Sequence, residues 1–195
     1  LNRVPPPLVR RVERVRLYAP NLRDIALQVP DYYFLTTDTP NLMRWLADEM
    51  RDQGVDLRLA QSFAGASREP LTHRRRWHLP GIGRTHWLVG ADGAKSRVAQ
   101  RFDLGRVGHF LYGVEYEFAG LELIEPDALH CFVSKRLAPG YIGWATQNPT
   151  GVQLGLAFRH RTSRTGTPDI DALRARVGHR IGIADDLRPT AIRAG

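Results

Sequence analysis

The sequence has 195 residues, of which 43% are hydrophobic and 25% are charged, with a formal net charge of +8 and a single cysteine. This composition is typical of a soluble globular chain with a hydrophobic core in one or two domains. No apolar run approaches the ~20 residues that a membrane-spanning helix needs, and no signal peptide is recognisable. One cysteine excludes an internal disulfide and a multi-cysteine metal site.

Arginine supplies almost all of the positive charge, because Lys95 and Lys135 are the only lysines. The densest arginine clusters are Arg74 to Arg76 and the spaced set Arg159, Arg161 and Arg164. Such clusters can face phosphates. Apart from Trp77, however, no aromatic stacking platform accompanies them, and no zinc finger or other nucleic-acid-binding signature is present. We therefore expect no nucleic-acid partner.

The first 36 residues predict strands of a small sheet. Pro5-Pro6-Pro7 indicates an extended arm, because proline fits neither a helix interior nor a central strand. Hydrophobic residues alternate over 11–18 and 25–29 with Asn21 at the turn between them, which predicts a hairpin. Residues 32–35 are typical of a further strand.

A helix is predicted after Asp38. Asp38 or Thr39 can cap it, Pro40 fits its first position and Gly54 ends it. Its apolar residues recur at helical spacing: Leu42, Trp45, Leu46 and Met50. The segment 55–63 then alternates like a strand.

Residues 68–88 predict a β-meander in which 77–79 and 86–88 flank a turn at 80–83. His73, His78 and His86 lie on it without acidic partners or metal-ligand spacing, so we expect surface or hydrogen-bonded histidines.

The segment THWLVGADGAKSRVAQR, residues 85–101, places small residues between a predicted buried strand (87–89) and a predicted helix (96–102). Glycines let backbone N–H groups approach a ligand, and a helix N-terminus favours an anion. A carboxylate such as Asp92 can accept hydrogen bonds from ribose hydroxyls. The corner therefore predicts a nucleotide site. An ordinary turn in which Asp92 or Ser96 caps the helix explains the same residues.

The remaining chain predicts two strands, a hairpin and a helix. The strands cover 110–118 and 129–133, and the hairpin joins 138–145 to 152–158 through the turn at 148–151. The helix covers 169–181. We interpret Cys131 as a buried structural thiol, and the Asp185-Asp186 pair as a solvated loop.

Val89-Gly90-Ala91-Asp92-Gly93, Ser96 and Arg97-Val98 resemble the second fingerprint, or DG motif, of FAD-dependent monooxygenases and reductases built like p-hydroxybenzoate hydroxylase. In that family the motif lies near the dinucleotide pyrophosphate and takes part in binding FAD and reduced nicotinamide. The resemblance implies a set of cofactor-binding residues: Gly90, Asp92, Gly93, Ser96 and Arg97.

The order of helix, glycine and strand over 39–63 is similar to the family segment that precedes the adenine end of FAD. This similarity implies that Phe63 lies near the cofactor. One departure is present: relatives carry a flavin-contacting arginine where this sequence has Asp38-Thr39-Pro40.

Residues 139–144, PGYIGW, and the following GVQLGL are similar to the PxxYxW pattern and glycine-rich strand of the geranylgeranyl reductase branch. There the segment lines an isoprenoid cavity beside the flavin. The similarity implies that Tyr141, Gly143 and Trp144 bind substrate. Aromatic residues that simply pack a sheet explain either aromatic side chain taken singly.

Together these observations predict an α+β fold: an incomplete FAD-binding α/β domain with a β-meander, plus a mainly antiparallel substrate-domain sheet. The predicted divisions are N-terminal substrate-domain strands (1–36), a partial FAD-binding domain (37–106), and a substrate-binding sheet with a C-terminal helix (107–195). The family's opening GxGxxG segment and closing Gly-Asp segment have no counterpart here. We therefore expect a fragment that alone is inactive and binds FAD weakly or not at all.

The resemblance implies an FAD-dependent oxidoreductase that uses NAD(P)H to reduce an isoprenoid or other apolar substrate. Two alternatives stay open: a flavin-dependent aromatic hydroxylase or halogenase, and a truncated, non-catalytic domain that binds an apolar molecule between Tyr141 and Trp144. No side chain is assigned as catalytic. We expect a cytoplasmic location, compatible with a peripheral membrane contact.

Overall fold

The computed structural model describes residues 3–68, 76–159 and 167–195. Its contacts divide the chain into two compact units. The first, here called the sheet unit, comprises the residues up to 55 together with 111–195; the second, the loop unit, comprises 56–110. The three-part division drawn from the sequence stays a prediction.

The secondary structure consists mainly of short strands. In chain order the described elements are a 3-10 helix (Pro6–Leu8), β1 (Val9–Val12), β2 (Arg14–Tyr18), β3 (Asp24–Gln28), β4 (Phe34–Thr37), α1 (Thr39–Asp52), β5 (Ser67–Arg68), β6 (Trp77–Leu79), β7 (Gly83–Thr85), α2 (Arg97–Arg101), β8 (Leu111–Ala119), β9 (Ala128–Phe132), β10 (Gly143–Asn148), β11 (Gly151–Arg159), α3 (Ile170–Ile181) and β12 (Ala191–Ala194).

A seven-stranded sheet forms the centre of the sheet unit, with the strand order β12-β8-β11-β10-β9-β2-β3. Every neighbouring pair in it is antiparallel except β2 and β9, which are parallel. The predicted hairpins β2–β3 and β10–β11 are both present. The α+β prediction with a mainly antiparallel sheet is therefore confirmed.

Helix α3 covers one face of this sheet. It begins at the predicted cap, where the Asp169 carboxylate accepts a hydrogen bond of 2.9 Å from the Ala172 N–H, and it ends at Gly182 with φ of 92°. Glycine tolerates this left-handed conformation, so the helix can stop there. The core between helix and sheet includes Phe118, Leu154, Leu156, Leu173, Val177 and Ile181.

Arg174 connects α3 to the segment that leads into β12. Its Nη2 donates hydrogen bonds to the carbonyl oxygens of Ala184 and Asp185, each at 2.7 Å, and also to that of Leu187. The guanidinium lies 5.5 Å from the centre of the Phe118 ring. One buried cation therefore fixes three carbonyl groups of a loop that has no regular structure.

We predict that Arg174→Met lowers the free energy of unfolding of the sheet unit by about 2 kcal/mol or more, because hydrogen bonds to a charged donor are lost. Chemical denaturation measures the change. Arg176→Met is the matched control, because Arg176 is exposed on the same helix and contacts one carbonyl, that of Pro20. Equal losses for the two variants would contradict this role of Arg174.

The N-terminal segment differs from its prediction. Instead of an extended arm, Pro6–Leu8 forms a 3-10 helix. Proline has the φ angle of such a turn, and the N–H groups that close the turn come from residues that are not proline. The Leu8 N–H donates to the Pro5 carbonyl at 3.0 Å, and the Val9 N–H donates to the Pro6 carbonyl. The further strand predicted over 32–35 is present as β4, but it pairs with β1 in a separate two-stranded sheet.

Helix α1 is confirmed with its predicted cap, since the Asp38 carboxylate accepts from the Asn41 N–H at 3.3 Å. None of its residues is buried. Met43, Leu46 and Met50 have exposed fractions of 59%, 40% and 41%. The apolar spacing therefore predicted the helix correctly, but the apolar residues do not form a buried face.

The strand predicted over 55–63 is wrong, because that segment has no regular secondary structure and Leu59 is 71% exposed. Alternating side chains form a strand only where a partner completes the hydrogen-bond ladder. In the described part of the loop unit, the predicted meander is present as β5-β6-β7. Its last strand is Gly83–Thr85, which precedes the predicted 86–88. His73 lies outside the described residues.

Cys131 is buried as predicted, and burial raises the pKa of its thiol. Asp185 and Asp186 are exposed, as expected for a solvated loop. Strand β12 is absent from the sequence-based prediction. Among the described residues no helix is long and apolar enough to cross a membrane, and no group of three or more potential metal ligands occurs.

Candidate functional site

The turn before α2 is closed by its own side chains. Asp92 Oδ1 accepts a hydrogen bond of 2.5 Å from the Ser96 hydroxyl, and Asp92 Oδ2 accepts from the backbone N–H groups of Arg97 at 2.6 Å and Val98 at 3.3 Å. The Ser96 hydroxyl oxygen in turn accepts from the Ala99 N–H at 2.9 Å. Both polar side chains of the turn therefore cap the five-residue helix α2.

These bonds show that the side chains of the turn cap the helix, whereas cofactor binding by the same residues stays a prediction. A helix N-terminus can attract a phosphate when its N–H groups are free. Here the Arg97, Val98 and Ala99 N–H groups already donate to Asp92 and Ser96. Of the predicted cofactor residues, the structure thus brings Asp92, Ser96 and the Arg97 backbone together as a capping arrangement.

Two glycines give the turn its shape. A Cβ atom at Gly90 would lie 2.8 Å from the Val98 Cβ and 3.4 Å from Asp92 Oδ1, which is too close for any larger residue. Gly93 has a φ of 82°, in the left-handed region that favours glycine. The conformation of the backbone around Asp92 therefore depends on these two glycines as well as on the hydrogen bonds.

The strand predicted at 87–89 is wrong. Residues 87–90 have no regular secondary structure, and Trp87 and Val89 have exposed fractions of 84% and 82%. The described residues provide no strand that pairs with them, so the apolar run lies uncovered.

An open cleft of about 490 Å³ lies beside the turn. Its lining includes Gly93, Lys95, Ser96, Gln100 and Arg106. The cleft thus has cationic and hydrogen-bonding groups at one side of the capped turn.

Phe63 lies elsewhere in the loop unit. Its ring centre is 6.4 Å from that of Phe102, and Phe102 is 4.8 Å from Trp77. Because Phe102 is the C-cap of α2, this aromatic cluster lies at the opposite end of the helix from Asp92. The structure therefore does not gather all six predicted cofactor residues at one point.

We predict that Asp92→Ala speeds hydrogen exchange at the Arg97 and Val98 amides, because both lose their acceptor. The hydrogen bond from Ser96, followed by those from the Arg97 and Val98 backbone, lowers the pKa of Asp92. A carboxyl group whose pKa is lowered by folding stabilises the fold above its ordinary pKa, and this stabilisation is lost as the pH falls through the folded-state pKa. The protection of these two amides, that is, their exchange rate relative to the intrinsic rate at the same pH, should therefore decrease in acid in the unmodified protein.

Asp92→Asn is the companion variant, because an amide cannot titrate in this range. It should remove the acid-dependent loss of protection at these two amides and leave the protection of the sheet unit unchanged. An unaltered exchange profile in both variants would contradict the capping role.

Tyr141 and Trp144, the predicted substrate residues of the sheet unit, contact each other. Their rings meet edge to face with centres 6.5 Å apart, and Tyr141 is 46% exposed. The Trp144 indole lies directly over Gly155, where a Cβ would be 2.0 Å from Trp144 Cζ2. An aromatic corner therefore rests on a glycine of the neighbouring strand.

Gly143 faces the other side of the sheet. A Cβ at this position would lie 2.8 Å from Leu173 Cδ2 on α3. Its small size therefore serves the contact between helix and sheet, whereas Tyr141 and Trp144 form the surface available on the opposite side. The binding roles of all three residues stay predictions.

Glu115 was missed by the sequence-based reasoning. It is half-buried on β8, directly across from Gly155, which is itself paired with Trp144 on β10. Burial raises the pKa of its carboxyl group. The available signal was a glutamate at an alternating position of a predicted strand, and nothing in the spacing connected it to Trp144.

No protein-family model matches the sequence, and no curated protein matches it. Solved structures do match the fold. A geranylgeranyl bacteriochlorophyll reductase-like protein from Thermoplasma acidophilum gives a TM-score of 0.65 at 16% identity, over 95% of this chain and 49% of that one. PqsL, a probable FAD-dependent monooxygenase from Pseudomonas aeruginosa, gives 0.59 at 15% identity, over 96% of this chain and 56% of that one.

A flavoprotein/dehydrogenase from Cytophaga hutchinsonii gives a TM-score of 0.58 at 14% identity, over 96% of this chain and 50% of that one. The chain thus spans about half the length of these proteins. Its fold is therefore similar to that of a portion of each of these three proteins. The resemblance inferred from the sequence motifs is confirmed at the level of the fold.

Proposed function

We propose that this chain contributes the substrate-binding sheet and part of the flavin domain of an FAD-dependent oxidoreductase. The observation that carries the proposal is the agreement of the fold over 95% of the chain with a reductase-like protein. The DG-like motif and the PGYIGW segment support it independently, because each is a property of the sequence and does not depend on the fold comparison.

The turn around Asp92 would hold the cofactor from one side. We infer that Asp92 and Ser96 act within the turn and keep its shape, since their oxygen atoms already accept backbone N–H groups. The exposed side chains of Lys95 and Arg97 flank the turn, and cations of this kind suit the phosphates of FAD or reduced nicotinamide. Gly93 has no side chain that would obstruct a ligand beside them.

The flavin, when bound, would supply hydride transfer or oxygen activation, with NAD(P)H as the reductant. The protein's own task is then to bind and orient an apolar substrate. Tyr141 and Trp144 fit this task, because each offers an apolar ring with one polar tip. An isoprenoid or another apolar molecule is the substrate class that such a surface favours.

A second candidate is flavin-dependent aromatic hydroxylation or halogenation. The fold likeness to PqsL, described as a probable FAD-dependent monooxygenase, supports this alternative. Two aromatic side chains suit an aromatic ring as well as an isoprenoid chain, so the reaction type must be decided by experiment.

The deciding experiment uses the full-length gene product that contains these residues. NAD(P)H oxidation is followed with an isoprenoid alkene and with a phenol, each with and without oxygen. A reductase should consume NAD(P)H without oxygen and saturate the alkene, whereas a hydroxylase should need oxygen and consume it with the phenol. Failure to consume NAD(P)H under all conditions would contradict both candidates and favour a non-catalytic ligand-binding protein.

The cationic pair can be tested in the same assay. Lys95→Ala combined with Arg97→Ala should raise the KM for NAD(P)H or weaken FAD retention, because two phosphate-facing charges are lost. Arg44→Ala is the control, since Arg44 is exposed and hydrogen bonds only to Asn41 among the described residues. Equal effects of the pair and of the control would show a nonspecific effect of charge.

A further inference from the structure

Strand β9 carries a buried histidine that the proposed function does not use. His130 is 1% exposed. Its Nε2 lies 3.2 Å from the carbonyl oxygen of Glu125, and its Nδ1 lies 3.0 Å from the hydroxyl oxygen of Tyr18. Because a carbonyl oxygen only accepts, Nε2 carries the proton of the neutral ring, and the Tyr18 hydroxyl donates to Nδ1. The neutral imidazole therefore satisfies both of its partners.

The protonated ring fits this site poorly. A proton on Nδ1 would force the Tyr18 hydroxyl to turn and accept, so the hydrogen bond that it now donates would be lost. Arg16, directly across from His130 on β2, adds a positive charge. Burial lowers the pKa of His130 and the charge of Arg16 acts in the same direction, while the Glu125 backbone and the charges of Glu125 and Asp127 oppose them. The folded site therefore favours the neutral ring.

The other charged groups that face His130 form ion pairs with one another. These pairs are Arg14–Asp127, Arg16–Asp24, Arg16–Glu125 and Arg180–Asp24. On β10 the residue across from His130 is Ala145, which carries no charge. Hydrogen bonds from Arg180 and Arg16 lower the pKa of Asp24, and one from Arg14 lowers that of Asp127. His130 is therefore the member of this set whose ordinary pKa lies near neutral pH.

His130 and Tyr18 join the β2–β3 hairpin to the rest of the sheet. Strand β3 is at one edge, and β2 attaches it to β9 through the parallel pairing. The chain on either side of the hairpin forms β1 and β4, which pair with each other, and the Thr36 hydroxyl on β4 donates to the Gln147 carbonyl at 2.7 Å. The hairpin is thus anchored at its base. Its separation from β9 would leave the other five strands paired.

We propose that His130 is a pH-sensitive switch, whose protonation in mild acid releases the β2–β3 hairpin from β9 while the rest of the seven-stranded sheet stays folded. The ring takes up a proton once the hairpin has separated and water reaches it. Because the pKa of the folded state is lowered, the stabilisation by the neutral ring is complete above the ordinary pKa of about 6.5 and is lost as the pH falls below it. This inference does not depend on flavin chemistry.

Cys131 provides a direct readout of the release. It is buried, it follows His130 on β9, and it is paired with Leu17 of β2. Separation of β2 from β9 exposes the thiol to solvent. The rate at which 4,4′-dithiodipyridine, a disulfide reagent that works in mild acid, labels Cys131 therefore measures the population of the released state.

The experiment uses the full-length gene product and follows the peptide that contains Cys131 by mass spectrometry. Each labelling rate is divided by the rate in the unfolded protein at the same pH, which removes the intrinsic pH dependence of the thiol. We expect this relative rate to rise about tenfold or more between pH 7.5 and about pH 5. The amides of β11 should keep their protection from hydrogen exchange over the same range.

His130→Gln should abolish the acid-dependent rise, because glutamine does not titrate. His179→Gln is the matched control, since His179 is an exposed histidine of α3 that hydrogen bonds with Asp185 at 3.2 Å, and it should keep the rise. An unmodified protein without the rise, an equal rise in His130→Gln, or loss of β11 protection together with the labelling would overturn the inference.

A second measurement serves if His130→Gln does not fold. The ring of His130 in the unmodified protein is observed by nitrogen NMR after labelling of its histidines with ¹⁵N. Its signals in the folded state should remain those of the neutral ring with the proton on Nε2 as the pH falls to about 5.5, below the ordinary pKa. Titration of the folded protein's ring at the ordinary pKa would overturn the inference.

Discussion

Replacing Gly151 with alanine is expected to lower the free energy of unfolding of the sheet unit by about 3 kcal/mol or more. A Cβ at this position would lie 2.1 Å from the Phe118 carbonyl oxygen and 2.9 Å from the Ala119 Cα. Both atoms belong to the backbone of β8, so no rotation of a side chain relieves the clash. The β8–β11 pairing must open at its end, where Gly151 is opposite Ala119. Urea denaturation measures the loss.

Gly120→Ala is the control for this prediction. Gly120 has a φ of 72°, but a Cβ there would meet nothing within 4 Å. Gly120→Ala should therefore lower the free energy of unfolding only by the cost of an alanine in the left-handed conformation, about 1 kcal/mol. If both variants lose the same free energy, conformational strain rather than the clash with β8 determines the requirement for glycine.

Replacing Gly155 with alanine is expected to displace the Trp144 indole and to lower the free energy of unfolding by about 2 kcal/mol. The three heavy atoms nearest to the added Cβ all belong to that ring: Cζ2 at 2.0 Å, Cε2 at 2.1 Å and Nε1 at 2.7 Å. The ring must therefore move away from Gly155. Urea denaturation measures this loss of stability.

A double-mutant cycle separates the effect of the clash with the Trp144 ring from the effects of other neighbours of Gly155. In the Trp144→Ala background, Gly155→Ala should cost far less than in the unmodified protein, because the clashing atoms are absent. Gly113→Ala is a further control on the same face, since its nearest contact is 3.3 Å from a single methyl group. An equal cost of Gly155→Ala in both backgrounds would contradict the stacked arrangement.

Local signals predicted the sheet unit well. The Asn148-Pro149-Thr150-Gly151 turn defined the β10–β11 hairpin because the Asn148 carboxamide oxygen accepts from the Thr150 N–H at 2.9 Å and the Gly151 N–H at 2.7 Å. Helix α3 was predictable for the same reason, since its cap at Asp169 and its glycine stop are local to the chain.

The sequence patterns failed where a structure depends on partners distant in the chain. The segments 55–63 and 87–89 have the alternation or apolar character of strands, yet the described residues provide no paired strand for either. Strand β12 was missed for the opposite reason. The segment Ala191–Ala194 has no marked strand pattern, and it is a strand because it pairs with β8. Pairing, not propensity, decides such short strands.

The sequence predicted helix capping at the turn as one interpretation but did not predict contacts between strands. The sequence allowed capping of the helix by Asp92 or Ser96, and the structure shows that the oxygens of both residues accept N–H groups of α2. Likewise, the pairing register alone places Glu115 beside Trp144, since the two lie on different strands with β11 between them. Contacts across strands cannot be inferred from the spacing of one segment.

The measurement that tests the central claim most directly is the flavin content of the full-length gene product that contains these residues. The protein is purified without added cofactor, denatured, and the released flavin is identified by chromatography and quantified against protein. We expect FAD in an amount approaching one molecule per chain, and a lower retention after loss of Lys95 and Arg97. A correctly folded protein that neither retains FAD nor takes it up from solution would contradict the account.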